Sequence, residues 1–270
     1  MSGPLQGLKV LDFSGLLPGP FASLMLADLG ADVLRVEAPS RPDMVRLMPP
    51  YATDGTSAAH GYLNRSKRSI AIDLKQPEGL AIVKQLVAEY DIVIEQFRPG
   101  VMDRLGAGYE ALKAVNPKVI YCSITGYGQT GPYKDRAGHD MNYLAIAGVI
   151  GYNGRKTSGP APMAVQVADI AGGSCHAVIG LLAAVIHRHA TGEGQHIDIS
   201  MTDAAFSLHA ETLHLYTWAD YISPDVVKQF EKQHGCKVVI DTFDSNEAMY
   251  AKLTAFAVSS FIVGVAGALW

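Results

Sequence analysis

The sequence predicts an α/β protein with a mainly parallel sheet and flanking helices, and three observations carry that expectation. Short apolar runs of strand length alternate with longer amphipathic stretches of helix length. Glycine and proline fall at the junctions between them. The first 37 residues already read as strand, loop, helix and strand, the order that builds a parallel crossover unit.

Residues 8–13, Leu-Lys-Val-Leu-Asp-Phe, read as a buried strand that the Gly- and Pro-rich stretch 15–20 breaks into a turn. Apolar residues from 21 to 29 follow a helical pattern closed by Gly30. Residues 32–37, Asp-Val-Leu-Arg-Val-Glu, form the second strand, stopped before Pro39. Such a unit is right-handed, and ligands gather where its strands end at the carboxyl edge of the sheet. After a polar insertion at 40–69 the rhythm resumes with a short strand at 70–74. A helix at 77–90 has Pro77 in its first turn and Leu80, Ile82, Val83, Leu86 and Val87 as apolar positions. The next strand, 91–97, has Ile-Val-Ile at its centre and is closed by Arg98-Pro99-Gly100. Residues 119–125 form another strand, and 126–132 a loop too rich in glycine for regular structure. A long apolar helix at 172–190 and a strand at 195–200, leading into a helix at Asp203, complete the series.

At 270 residues the chain can bury a large core, in one large or two ordinary domains. A hydrophobic share of 49% and a charged share of 18% exclude a disordered chain. A net charge of −4 offers no basic surface that would make nucleic acid the main partner. Cys122, Cys175 and Cys236 are widely spaced, which supports neither a disulfide framework nor a zinc knuckle and fits a reducing, cytoplasmic setting. Residues 1–6 lack the basic and apolar regions of a signal peptide. No G-x-G-x-x-G follows the first strand, and Walker, H-E-x-x-H and G-x-S-x-G patterns are missing. The expectation is therefore no nucleotide redox cofactor and no metal. His187-Arg188-His189 closes a helix, where a cationic side chain faces the helix dipole.

Two candidate proton-handling residues stand in glycine-rich surroundings: His139, in Gly-His-Asp-Met-Asn-Tyr, and Asp169, in Val-Ala-Asp-Ile-Ala-Gly-Gly-Ser. Glycine weakens regular structure and is usually kept where a ligand or a backbone comes close, so this stretch reads as a site. The alternative for Asp169 is an N-cap on the helix that begins near Gly172. Neutral histidine suits acid–base work near neutral pH, and a carboxylate in an apolar pocket can be shifted into the same range.

Several motifs together resemble the family III coenzyme A transferases of the CaiB/BaiF type, a family that includes the α-methylacyl-CoA racemases. They are Leu8-Lys9-Val10-Leu11-Asp12, Pro18-Gly19-Pro20, Leu29-Gly30-Ala31-Asp32-Val33, Asn64-Arg65-Ser66-Lys67-Arg68, Asp73-Leu74-Lys75, Phe97-Arg98-Pro99-Gly100, Tyr127-Gly128-Gln129-Thr130-Gly131-Pro132 and Asp169. The resemblance implies a Rossmann-like domain over 1–212 and a coenzyme A thioester as substrate. Gly138-His139-Asp140-Met141-Asn142-Tyr143 resembles the racemase branch, whereas the transferases tend to carry Tyr in place of His139. In the racemase reading His139 and Asp169 remove and return the α-proton of a 2-methylacyl-CoA, one on each face. In the transferase reading Asp169 attacks the thioester and forms an acyl-aspartyl anhydride. The resemblance further assigns substrate contacts to Arg65, Lys67, Arg68, Arg98, Tyr127, Gly128 and Asp140, with Arg41 as a substitute for a basic residue where this chain has Ala38. Gly172 and Gly173 would steady the enolate oxygen. Read alone, 65–68 is better taken as a solvated loop.

Beyond residue 212 that resemblance stops, and the family's second domain and homodimer clasp are not recognisable. Residues 213–253 resemble the start of a periplasmic polyamine-binding protein, with Trp218, Asp220 and Tyr221 at aromatic and acidic positions. Residues 254–270 carry no charge, resemble a helix of a branched-chain amino acid permease and reach the length threshold of a membrane span; the alternative is a buried terminal helix. The expectation is a chimera, truncated relative to the family and open to being a non-catalytic fragment that touches membrane through 254–270.

Overall fold

The computed structural model describes residues 3–155, 157–208, 213–218, 223–234 and 238–243. The candidate membrane segment 254–270 lies outside the described residues, as do Asp220, Tyr221 and Cys236.

Six parallel strands form the main sheet: β1 (Lys9–Asp12), β2 (Asp32–Glu37), β3 (Arg68–Ala71), β4 (Ile92–Glu95), β5 (Ile120–Thr125) and β8 (His196–Ser200). Their spatial order is β3-β2-β1-β4-β5-β8, with Leu11 opposite Leu34 on one side and Val93 on the other. The order reverses between β1 and β4, and a doubly wound sheet opens a crevice at that switch point, outside the carboxyl ends of the strands.

Alternation along the strands explains the two apolar layers. Val10, Ile92, Ile94, Ile120, Cys122, Ile124, Ile197 and Ile199 face one side, against α1 (Pro18–Asp28) and α7 (His176–Thr191). Leu11, Leu34, Val36, Val93 and Tyr121 face the other, against α3 (Pro77–Leu86), α4 (Val101–Arg104) and α5 (Tyr109–Lys113). Both faces are covered, so the central strands read as continuous apolar runs. Each fully buried Leu, Ile or Val side chain contributes about 1.5–3 kcal/mol.

The elements differ from expectation in instructive places. α1 starts at Pro18, because proline fits a first turn whose N–H groups have no helical partner. The insertion at 40–69 holds α2 (Ala58–Asn64), capped by the Ser57 hydroxyl, which accepts the His60 N–H. β3 lies earlier than predicted, and Asp73 accepts the Lys75 N–H in the turn beyond it. A helix α6 (Asp140–Ile146) follows the glycine-rich loop, and a short hairpin of β6 (Gly154–Arg155) and β7 (Gly159–Pro160) follows that. The long apolar helix is preceded by a π-helical turn, Ala168–Cys175, that runs straight into α7. Together they form one helix, Ala168–Thr191, long and apolar enough to cross a membrane; here it packs on β5, β8 and α1. α8 (Met201–Ser207) follows β8 at once, and β9 (Leu213–Trp218), α9 (Pro224–His234) and β10 (Val238–Phe243) end the described chain, with β9 and β10 paired in parallel. Arg188 bonds the Asp91 and Lys118 carbonyls and pairs with the Asp91 carboxylate at 3.0 Å, so its charge ties α7 to the starts of β4 and β5.

Candidate active site

The loops at the carboxyl edge meet at the switch point. Gly19, in the first turn of α1, donates its N–H to Gln96 Oε1 at 2.8 Å, joining the loop after β1 to the turn after β4. Ser174 donates its hydroxyl to the Pro18 carbonyl at 2.7 Å, which docks the π-helical turn on the same place. Gly173 makes that docking close: a Cβ there would lie 3.1 Å from both Pro18 Cβ and Met201 Sδ. Gly172 packs in the same way, 3.1 Å from the Met201 carbonyl oxygen. The expectation that these glycines bind an enolate finds no geometric support, since both are buried against other helices.

Asp169 sits within the π-helical turn and is not the N-cap of a helix. Its backbone N–H donates to Asp140 Oδ1 at 3.0 Å. His139 stands immediately before Asp140, as the exposed N-cap of α6, with its own N–H held by Asn142 Oδ1 at 2.9 Å. Asp140, buried at the start of α6, thus ties the two sequence-predicted proton-handling residues to one corner. Burial pushes the Asp169 carboxyl up to about 6, and the neighbouring Asp140 carboxylate adds to the rise.

Around this corner the glycine-rich loop and α6 close on one another. The Tyr127 and Tyr143 rings meet edge-to-face with centroids 5.2 Å apart, and the Tyr143 hydroxyl donates to the Gly138 carbonyl. A side chain at Gly126 would overlap the Tyr143 ring. Gly128 is buried with a φ of 79°, a conformation that favours glycine. Burial raises the Tyr143 phenol well above its ordinary value, Asp169 adds to the rise, and the nearby Arg98 guanidinium offsets part of it. Arg98 is exposed just past the end of β4, and Arg41 is exposed past the end of β2 on the same edge.

The remaining predicted cations are each held in an ion pair. Arg65 pairs with Asp28 at 2.6 Å, at the far end of α1 from Pro18, about 15 Å along the helix. Arg68 turns back to the amino edge, where it pairs with Asp32 at 2.7 Å and bonds Tyr90. The Lys67 side chain is buried: its ammonium group bonds Asp12 Oδ2 at 3.4 Å, the Pro20 carbonyl at 2.8 Å and Asn64 Oδ1 at 3.2 Å. The structure therefore gathers His139, Asp140, Asp169, Tyr127, Gly128 and Arg98, with Arg41 on the same edge; Arg65 and Arg68 are paired away from them, and Lys67 is held at the end of β1 by Asp12 and the Pro20 carbonyl. Sequence reasoning missed Gln96 and Glu95; the latter's signal was an acidic residue ending a strand that is otherwise Ile-Val-Ile. Among the described residues no group of three or more His, Cys, Asp or Glu is placed to hold a metal ion.

Comparison with known proteins bears on this geometry. The model of CoA-transferase family III matches residues 5–253. A succinate–glutarate CoA-transferase of Agrobacterium fabrum is 45% identical over 206 residues, covering 74% of this chain and 51% of the relative. The human α-methylacyl-CoA racemase is 42% identical over 200 residues, covering 74% of this chain and 48% of the relative. The crystal structure of a CAIB/BAIF family protein from Brucella suis superposes with a TM-score of 0.75 at 38% identity, over 88% of this chain and 59% of that one. The chain thus spans about half the length of the curated relatives it matches. The family match also continues past the expected boundary at 212, through the stretch read as part of a polyamine-binding protein, and neither that reading nor the permease resemblance gains support. With fold and match in agreement over most of its length, the chain belongs to CoA-transferase family III.

Proposed function

We propose that the chain acts on a coenzyme A thioester as an acyl-CoA racemase, moving the α-proton of a 2-methylacyl group between Asp169 and His139. The observation that carries this reading is the corner itself: Asp140 holds the Asp169 backbone while standing next to His139, and Asp169 is shifted to about 6. In one direction the Asp169 carboxylate takes the α-proton, the C–H electron pair flows into the thioester carbonyl, and protonated His139 delivers a proton to the opposite face of the same carbon. In the other direction neutral His139 is the base and protonated Asp169 the acid. A carboxyl near 6 can serve as the base when ionised and as the acid when protonated at a pH close to neutral. Arg98 and Arg41 are the cations on the correct edge for the phosphates of coenzyme A.

A second reading is favoured by the 45% identity to a CoA-transferase. In that scheme the Asp169 carboxylate attacks the thioester carbonyl and expels the coenzyme A thiolate, which returns to the Asp169 carbonyl of the mixed anhydride and frees the donor carboxylate. An acceptor carboxylate then displaces the thiolate from Asp169, and the thiolate attacks the acceptor carbonyl to form the new thioester and release the Asp169 carboxylate. The test is α-proton exchange by NMR with one epimer of a 2-methylacyl-CoA in deuterated water. The expected result is deuterium incorporation with scrambling of the stereocentre, lost in His139→Ala. Absence of exchange together with an Asp169 adduct trapped by hydroxylamine refutes the racemase and leaves the transferase.

A further inference from the structure

Glu95 ends β4 with only 4% of its surface exposed, and the chemistry described so far gives it no part. Its carboxylate turns back to accept the Phe97 N–H at 2.7 Å, which fixes the turn leaving the strand. That turn carries Gln96, which accepts the Gly19 N–H across the switch point, and Arg98, whose guanidinium lies near Tyr143. One buried carboxylate therefore holds two of the loops that frame the corner.

We propose that Glu95 is a positioning residue: by accepting the Phe97 N–H it sets the turn that presents Arg98 to a phosphate of the ligand, and Ser123 and His196 connect it to solvent. This rests on the reading of Arg98 as a coenzyme A ligand. Ser123 lies opposite Glu95 in the β4–β5 register, where its hydroxyl favours the ionised carboxylate, and shares a 3.0 Å hydrogen bond with Nε2 of His196. His196 is exposed and stacks on Tyr109 with centroids 5.0 Å apart, so the row leads from a buried acid to the sheet edge.

The surroundings decide the charge state. Asp103 from α4 and Asp198 from β8 both act on Glu95 with like charge, and Tyr121 and Cys122 of β5 lie close to it. Burial is the largest influence and pushes the carboxyl up to about 7. Glu95 thus changes charge near neutral pH, and only the ionised form makes a charge-assisted bond to the Phe97 N–H. Above pH 7 the turn is held firmly, and below it the hold weakens.

The test uses the full chain, with the Phe97 backbone amide followed by NMR against pH and coenzyme A affinity measured by calorimetry at pH 6 and pH 8. The expected result is an amide shift with a midpoint near 7 that disappears in Glu95→Gln, a variant that keeps the shape. Wild-type affinity then rises between the two pH values by about fivefold more than that of Glu95→Gln, the advantage of a charged acceptor over a neutral one. Ionisation of the coenzyme A phosphate is common to both proteins and cancels. Ser123→Ala removes a bond that favours ionised Glu95, so the midpoint moves up. A Phe97 amide that does not titrate, or that titrates equally in Glu95→Gln, overturns the proposal. A wild-type chain that binds no coenzyme A at either pH overturns the functional reading instead, and the Phe97 amide then decides the role of Glu95 on its own.

Discussion

Lys67→Met separates a buried structural cation from a ligand-binding one. The Lys67 and Asp12 side chains are 1% and 0% exposed, with nitrogen and oxygen 3.4 Å apart. At an effective dielectric constant of about 20, two unit charges at that distance attract by about 5 kcal/mol, against which the desolvation of both must be set. Burial is the larger influence on Lys67, since its ammonium group is held below the ordinary lysine value despite Asp12. Removing one partner of such a pair costs about 3–5 kcal/mol, because the other is left as an uncompensated buried charge. Asp12 keeps the Ser14 N–H and the Ser14 and Ser23 hydroxyls, so we expect the lower end, about 3 kcal/mol. Against a total stability of about 5–15 kcal/mol the variant stays folded. The assay is guanidinium denaturation followed by circular dichroism, with a lower midpoint expected at an unchanged slope. Asp12→Asn combined with Lys67→Met recovers part of the loss, because no charge is then stranded. Coenzyme A affinity of the folded Lys67→Met protein is expected to match wild type. An unchanged midpoint with a tenfold loss of affinity refutes the reasoning and returns Lys67 to the ligand.

Asp169 acts as base or nucleophile only when ionised, so kcat/KM for the epimer whose proton it removes, or for acyl transfer, is expected to fall as the pH drops through about 6, and a limb at the ordinary carboxylate value refutes burial as the cause. Because the folded carboxyl lies above its unfolded value of 3.8, folding takes up a proton between 3.8 and about 6 and the ionised site costs stability above that window; Asp169→Asn is therefore expected to melt higher than wild type at pH 8 while losing activity. Gly173→Ala forces a Cβ to 3.1 Å from Pro18 and Met201 and is expected to cost about 1–3 kcal/mol in a denaturation series, with a larger loss of activity because the turn carrying Asp169 moves.

The strand β2 was legible at its observed bounds because Val33, Leu34 and Val36 are bracketed by Gly30 and Pro39. The start of α1 was not, because Pro18-Gly19-Pro20 reads as a breaker unless one counts the unpaired N–H groups of a first turn. α6 escaped notice because it is seven residues long and leaves Met141 and Ile146 exposed, so no apolar period announces it. At the site, His139 and Asp169 were legible through their glycine-rich neighbours and the family motifs around them. The burial of Lys67 was not legible because its partner Asp12 lies 55 residues away, and a cation in a polar stretch gives no local sign of burial. Glu95 needed the turn geometry, for which a single acid at a strand end is no substitute.

The π-helical turn before α7 has a consequence for how the site is tuned. In an α-helix each residue advances the side-chain direction by about 100°, so the stripe that packs on the sheet, Ala177, Leu181, Ala184 and Val185, would dictate the heading of every residue in the same helix. The wide turn at Ala168–Cys175 breaks that phase relation. Asp169 can point where the chemistry needs it while the apolar stripe keeps its own angle, and drift in one does not force drift in the other.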